Sequence, residues 1–144
     1  MSEQIELSGN CMCGAVTVTA TASDPVLRAC HCEMCRQHNS FAFVNIQTDA
    51  DSIKISGPVK VFKSSDWAQR AFCETCGSTL WCGMQHDGSR NLAAGLFPDL
   101  GGAKMVQEYF SDDCLIGDGF AGDHQKLTRQ ETFALFAPSE GDNQ

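Results

Sequence analysis

A mainly β fold of antiparallel strands that carries clustered cysteines is what this sequence predicts. Three observations carry that expectation. Apolar residues recur at every second position in many short stretches, turn signals rich in Gly separate those stretches, and seven of the nine cysteines sit in three tight groups. Period-two alternation is the signature of strands, and parallel sheets would need crossover helices for which the chain has no candidates.

The elements follow in chain order. Val16, Val18 and Ala20 fall on one face of a strand, with Thr17, Thr19 and Thr21 on the other. Comparable signals recur at residues 41–47, at Ile53-Lys54-Ile55, and at residues 59–62, 68–72, 78–82, 92–96 and 105–110. Gly57-Pro58, Asp87-Gly88 and Gly101-Gly102 mark turns between them. Helix is scarce. Residues 33–38 can form one short helix just after a cysteine group, and Thr128-Arg129-Gln130-Glu131 has the T-x-x-E spacing of a capping box ahead of Phe133, Leu135 and Phe136. Thr132 and Phe133 are middling helix formers, and Pro138 ends the run. Residues 139–144 read as a frayed tail.

The length of 144 residues suits a single domain spanning residues 1–144, long enough to bury a core. Ten Lys and Arg against eighteen Asp and Glu leave a net charge of −8 and a pI near 4.7, which disfavours nucleic acid because no large basic face can form. No apolar run approaches the ~20 residues of a membrane span. The first residues, Met1-Ser2-Glu3-Gln4, lack the pattern of a signal peptide, so a cytoplasmic location is expected. In that reducing setting, cysteines at short fixed spacings point to metal ligands or reactive thiols rather than disulfides.

The groups are Cys11-Met12-Cys13, Cys30-His31-Cys32-Glu33-Met34-Cys35 and Cys73-Glu74-Thr75-Cys76, with Cys82 and Cys114 apart. In Cys73-Glu74-Thr75-Cys76-Gly77 the turn brings two sulfurs together, and Gly supplies the positive φ needed after the second ligand. Cys11-Met12-Cys13-Gly14 does the same with one residue fewer, since on a plain strand both sulfurs point one way. Together Cys11, Cys13, Cys73 and Cys76 make a four-thiolate set suited to a closed, structural Zn2+. Cys30, Cys32 and Cys35 supply only three sulfurs, the number found at a catalytic zinc with one position left for water or substrate. A fourth ligand from His31, Cys82 or Cys114 would close that site instead, with His31 the poorest because it faces away from its neighbours on a strand. Cys82 and Cys114 otherwise read as buried small hydrophobes, and His38, His86 and His124 as surface or core residues. Arg36 can steer an anionic substrate or offset the charge of three thiolates.

Three segments, Gly9-Asn10-Cys11-Met12-Cys13-Gly14-Ala15-Val16, Cys30-His31-Cys32-Glu33-Met34-Cys35-Arg36 and Phe72-Cys73-Glu74-Thr75-Cys76-Gly77-Ser78, closely resemble in order and spacing the signatures of the glutathione-dependent formaldehyde-activating enzyme and centromere protein V family. The resemblance covers residues 7–110. It implies an Mss4-like fold, a structural zinc on Cys11, Cys13, Cys73 and Cys76, and a second zinc on Cys30, Cys32 and Cys35. It also implies carbon–sulfur lyase chemistry, in which glutathione and formaldehyde give S-hydroxymethylglutathione. Where members of that family often carry a His-x-aromatic pair, this chain has Glu108-Tyr109-Phe110.

The expected function is therefore a zinc-dependent carbon–sulfur lyase whose partners are a small thiol such as glutathione and a small aldehyde, with Cys30, Cys32 and Cys35 at the catalytic centre. The alternative is a non-enzymatic module with two structural zinc sites whose β-surface binds a protein partner. A redox switch built on the same thiols is a third reading, and it predicts zinc release under mild oxidant.

Overall fold

The computed structural model describes residues 4–137. Eleven strands fall in two sheets, and only two α-helices accompany them among the described residues, so the mainly β expectation holds. The tail expected at residues 139–144 lies outside the described residues.

The chain divides into two compact units. The larger, built from residues up to 28 and from 44 to 104, contains the three-stranded sheet β1 (Ile5–Asn10), β2 (Thr17–Ala22) and β5 (Lys54–Ser56), in that order. Strand β3 (Val26–Cys30) leaves this unit, and β4 (Phe43–Ile46) returns to it. β4 then continues sideways through β9 (Asn91–Ala93), β8 (Thr79–Met84), β7 (Ala68–Cys73) and β6 (Val59–Lys63), each pair antiparallel.

The alternation on β2 works as the sequence implies: Val16, Val18 and Ala20 are buried while Thr17 and Thr19 face out. These residues join Leu7, Ile46, Leu80, Trp81, Leu92 and Phe97 in one apolar core that also takes in Cys11 and Cys73. Two cysteines of the four-thiol group are thus core residues of this unit. Gly9 on β1 fits where no side chain would, since a Cβ there would stand 2.1 Å from the Leu96 carbonyl oxygen. Residues 92–96 do not stay extended. β9 stops at Ala93 and a 3-10 turn, Ala94–Leu96, follows. The small run Ala93-Ala94-Gly95 has little side chain to pack on a pleated surface.

The smaller unit holds residues 29–43 and those from 105 onward. It contains helix α1 (Glu33–Asn39), strand β10 (Lys104–Tyr109) from its second residue, β11 (Gln125–Lys126) and helix α2 (Arg129–Phe136). β11 pairs with β10 in parallel over two residues, which departs from the antiparallel expectation. The capping box forms: Glu131 N–H donates to Thr128 Oγ1 at 3.1 Å, and Thr128 N–H donates to Glu131 Oε1 at 3.0 Å. Thr132, fully buried, donates to Thr128 O at 2.7 Å and accepts Phe110 N–H at 2.9 Å, tying the helix to the end of β10.

Candidate metal centres

Both two-cysteine motifs of the larger unit sit at hairpin tips. Cys11-Met12-Cys13-Gly14 caps β1 and β2 rather than lying on a plain strand, which corrects the geometry expected from its spacing. Cys11 N–H donates to Val16 O and Gly14 N–H to Cys11 O, each at 3.0 Å, and Gly14 turns the chain at φ 82°. Met12 is 82% exposed, Cys11 is buried in the core and Cys13 stays at the exposed side of the tip. The second tip closes β7 and β8. Gly77 N–H reaches Cys73 O at 2.8 Å, with Gly77 at φ 79°, in the position after the second cysteine where positive φ was expected.

The four sulfurs of Cys11, Cys13, Cys73 and Cys76 lie within 4.8 Å of one another. Cys11 Sγ and Cys13 Sγ are 3.6 Å apart, and Cys13 Sγ and Cys73 Sγ 3.9 Å. Sulfur ligands ~2.3 Å from a tetrahedral zinc stand about 3.8 Å from each other, so this donor set fits that ion. Backbone donors already face the sulfurs: Val16 N–H lies 3.2 Å from Cys11 Sγ and Cys76 N–H 3.4 Å from Cys73 Sγ. The Ser78 hydroxyl beside Cys76 Sγ, with the Ser78 backbone, holds that thiol down to about 5. Cys13, despite a lowering contact from the Ala15 backbone, is pushed up to about 11 by burial and by the crowded sulfurs of its neighbours. Such crowding among thiols is what a divalent cation relieves.

In the smaller unit the sulfurs of Cys30, Cys32 and Cys35 also converge within 4.8 Å. Cys30 ends β3, and Cys32 is the N-cap of α1, where its sulfur accepts Cys35 N–H at 3.4 Å. The C-x2-C spacing therefore places one sulfur at the cap and the next on the first turn. Contacts with the Cys32 and Cys35 sulfurs, followed by burial, drive the Cys30 thiol far above its ordinary range. The donor set suits zinc here too.

Among the described residues no fourth Cys, His, Asp or Glu joins this group. His31 turns away from the sulfurs, as its place between Cys30 and Cys32 suggested, and its Nε2 meets Glu108 Oε1 at 2.7 Å. Cys82 and Cys114 are half-buried and belong to neither cluster. Arg36 is half-buried on α1 directly after Cys35. His38 is half-buried on the same helix, and His86 is exposed beside Asp87 at 3.6 Å.

Reasoning from sequence marked Glu108 only as a departure from the family's His-x-aromatic pair, and it missed both the histidines that Glu108 meets and the role of His124. His124, read there as an unremarkable surface or core residue, has its side chain 3% exposed and its Nε2 on Glu108 Oε2. A usable signal was present: an acid inside the apolar run Met105-Val106-Gln107-Glu108-Tyr109-Phe110 is either exposed or partnered.

The family model for glutathione-dependent formaldehyde-activating enzyme matches residues 6–113. The chain belongs to this family. The match takes in all seven clustered cysteines. A relative from Schizosaccharomyces pombe, described as an uncharacterized lyase, is 39% identical over 77 residues, which is 53% of this chain and 56% of the relative. The chain thus spans little more than half the length of that curated relative. Among solved structures, a crystal structure of a Rhodobacter sphaeroides protein superposes with a TM-score of 0.53 at 18% identity, covering 69% of this chain and all of the other. That likeness concerns the fold alone. No helix among the described residues is long and apolar enough to cross a membrane.

Proposed function

We infer that this family member is a zinc-dependent carbon–sulfur lyase acting on the adduct of a small thiol and a small aldehyde, with glutathione and formaldehyde as the representative pair. The observation that carries the reading is the convergence of exactly three protein sulfurs, from Cys30, Cys32 and Cys35, without a fourth ligand among the described residues. The family membership and the lyase description of the S. pombe relative support the same class.

Cys30, Cys32 and Cys35 would hold a zinc ion, whose charge would keep an incoming thiol as its thiolate. In the forward direction the thiol sulfur forms a bond to the aldehyde carbon, the carbonyl π pair moves to oxygen, and the proton lost by the thiol ends on that oxygen. Cleavage of the adduct is the reverse. Cys30, Cys32 and Cys35 hold the centre and Arg36 brings positive charge next to a cluster of thiolates, where it favours an anionic substrate or offsets the ligands. The Cys11, Cys13, Cys73 and Cys76 set takes the structural role, joining two hairpin tips of one core.

The decisive experiment couples metal analysis to a thiol and aldehyde panel. Wild type should carry two zinc ions and turn over. Cys35→Ala should keep the fold and one zinc while losing turnover. Turnover that persists in Cys35→Ala with the four-thiolate site full overturns the reading, and two zinc ions with no thiol bound at either would favour the non-enzymatic module.

A further inference from the structure

Glu108 on β10 is wholly buried, yet it is surrounded by donors. Its Oε1 accepts His31 Nε2–H at 2.7 Å, its Oε2 accepts from His124 Nε2, and Phe120 N–H lies 3.3 and 3.2 Å from the two oxygens. The His31 and His124 side chains are themselves 2% and 3% exposed. A carboxylate in this state can only accept, so both imidazoles must present Nε2–H to it. Removing such a buried acceptor leaves its donors unsatisfied.

The consequence falls on His31. Its backbone N–H donates to Tyr109 O at 3.0 Å while its ring is held by the adjacent Glu108, so one residue is fastened to β10 at two points. Its ring also packs against Phe41 and Phe120, with centroids 5.5 and 5.9 Å away. Fixing His31 in backbone and ring leaves the flanking residues little freedom, and those residues are Cys30 and Cys32. The same carboxylate gathers the glycine-rich segment around Phe120. Gly119 stands at φ 84°, and a Cβ there would come within 2.5 Å of Glu108 Oε1.

The geometry points to Glu108 as the positioning residue of the three-sulfur site: through His31 it sets the placement of Cys30 and Cys32, and so the hold of that site on metal. This rests on the reading of Cys30, Cys32 and Cys35 as metal ligands. Groups that orient metal-binding segments from outside the coordination sphere commonly change affinity ~10–100-fold when replaced.

The test uses the full chain with cobalt(II) in place of zinc, following thiolate-to-cobalt absorption under chelator competition in wild type and Glu108→Gln. The amide keeps the size of the side chain but offers N–H2 where an imidazole N–H points. The three-sulfur site should lose about 10–100-fold in affinity while the four-sulfur site keeps its own. Long-range 1H–15N correlation should show His31 or His124 leaving the Nε2–H form. Equal affinities and unchanged tautomers in wild type and variant overturn the inference, as does parallel loss at both sites, which would mark a general folding role. Wild type that takes no metal at Cys30, Cys32 and Cys35 overturns the functional reading as well, a result distinct from an insensitive variant.

Discussion

The Ser78 hydroxyl sits 3.2 Å from Cys76 Sγ and also accepts Met12 N–H at 3.0 Å, so one side chain spans both hairpin tips of the four-thiol cluster. Its hydrogen bond is the largest influence holding the Cys76 thiol at about 5 instead of the ordinary 9.0. A thiol whose folded value is depressed contributes stability above its unfolded value, and that contribution is lost as pH falls through the folded value. The relevant window is therefore from about 9 down to about 5. Ser78→Ala should narrow it, raising the pH at which the cluster surrenders metal to protons. Metal retention measured against pH by equilibrium dialysis checks this. An unshifted curve would mean that Ser78 is not what holds the Cys76 thiolate.

Gly9 on β1 and Gly95 in the 3-10 turn make a paired test of packing. At Gly9 a Cβ would stand 2.1 Å from Leu96 O and 2.7 Å from its carbonyl carbon, whereas at Gly95 it would meet nothing within 4 Å. Backbone atoms cannot swing aside as a side-chain tip can. Gly9→Ala should cost ~1–3 kcal/mol or more through overpacking, and Gly95→Ala should leave stability nearly unchanged. Denaturant midpoints at constant m-value compare the two. Equal midpoints would show that β1 moves off Leu96 at little cost.

Both thiol clusters were legible because a metal site needs several ligands of one type brought close by short spacings, and Cys11/Cys13, Cys30/Cys32/Cys35 and Cys73/Cys76 carry that spacing openly. The strand at Val16-Thr17-Val18 was legible for a similar reason, since one face is buried and the other wet. β1 was not, because Gly9 takes an inward position without being apolar, and β3 was not, because Val26-Leu27-Arg28-Ala29-Cys30 does not alternate. The turn at Cys11-Met12-Cys13 was mistaken for plain strand, as the same three residues suit either geometry until Gly14 reverses the chain. Glu108 was hidden by distance: His31 is 77 residues away and His124 is 16, and no short motif links an acid to two such histidines.

The two clusters should also part company under a chelator. The four-sulfur set uses Cys11 and Cys73, 1% and 0% exposed, and joins segments 60 residues apart through Cys13 and Cys73. Burial does not separate the two, since the four-sulfur set also has exposed Cys13 and half-buried Cys76 and the three-sulfur set has buried Cys35, but the three-sulfur set has one protein ligand fewer. Metal held by three protein bonds exchanges its remaining position with solvent and is removed first. Titration with a zinc chelator should therefore release metal in two steps, the first with near-UV circular dichroism preserved. The second should cost about 4 kcal/mol if that metal was present at ~1,000 times its Kd, because folded protein alone binds it. At roughly 2–4 °C per kcal/mol for a chain of this size, the melting temperature should fall by on the order of 10 °C. Zinc-reporter absorbance and thermal melts on the same samples follow both steps, and release of the two ions in one step with simultaneous unfolding would refute the division of labour between the clusters.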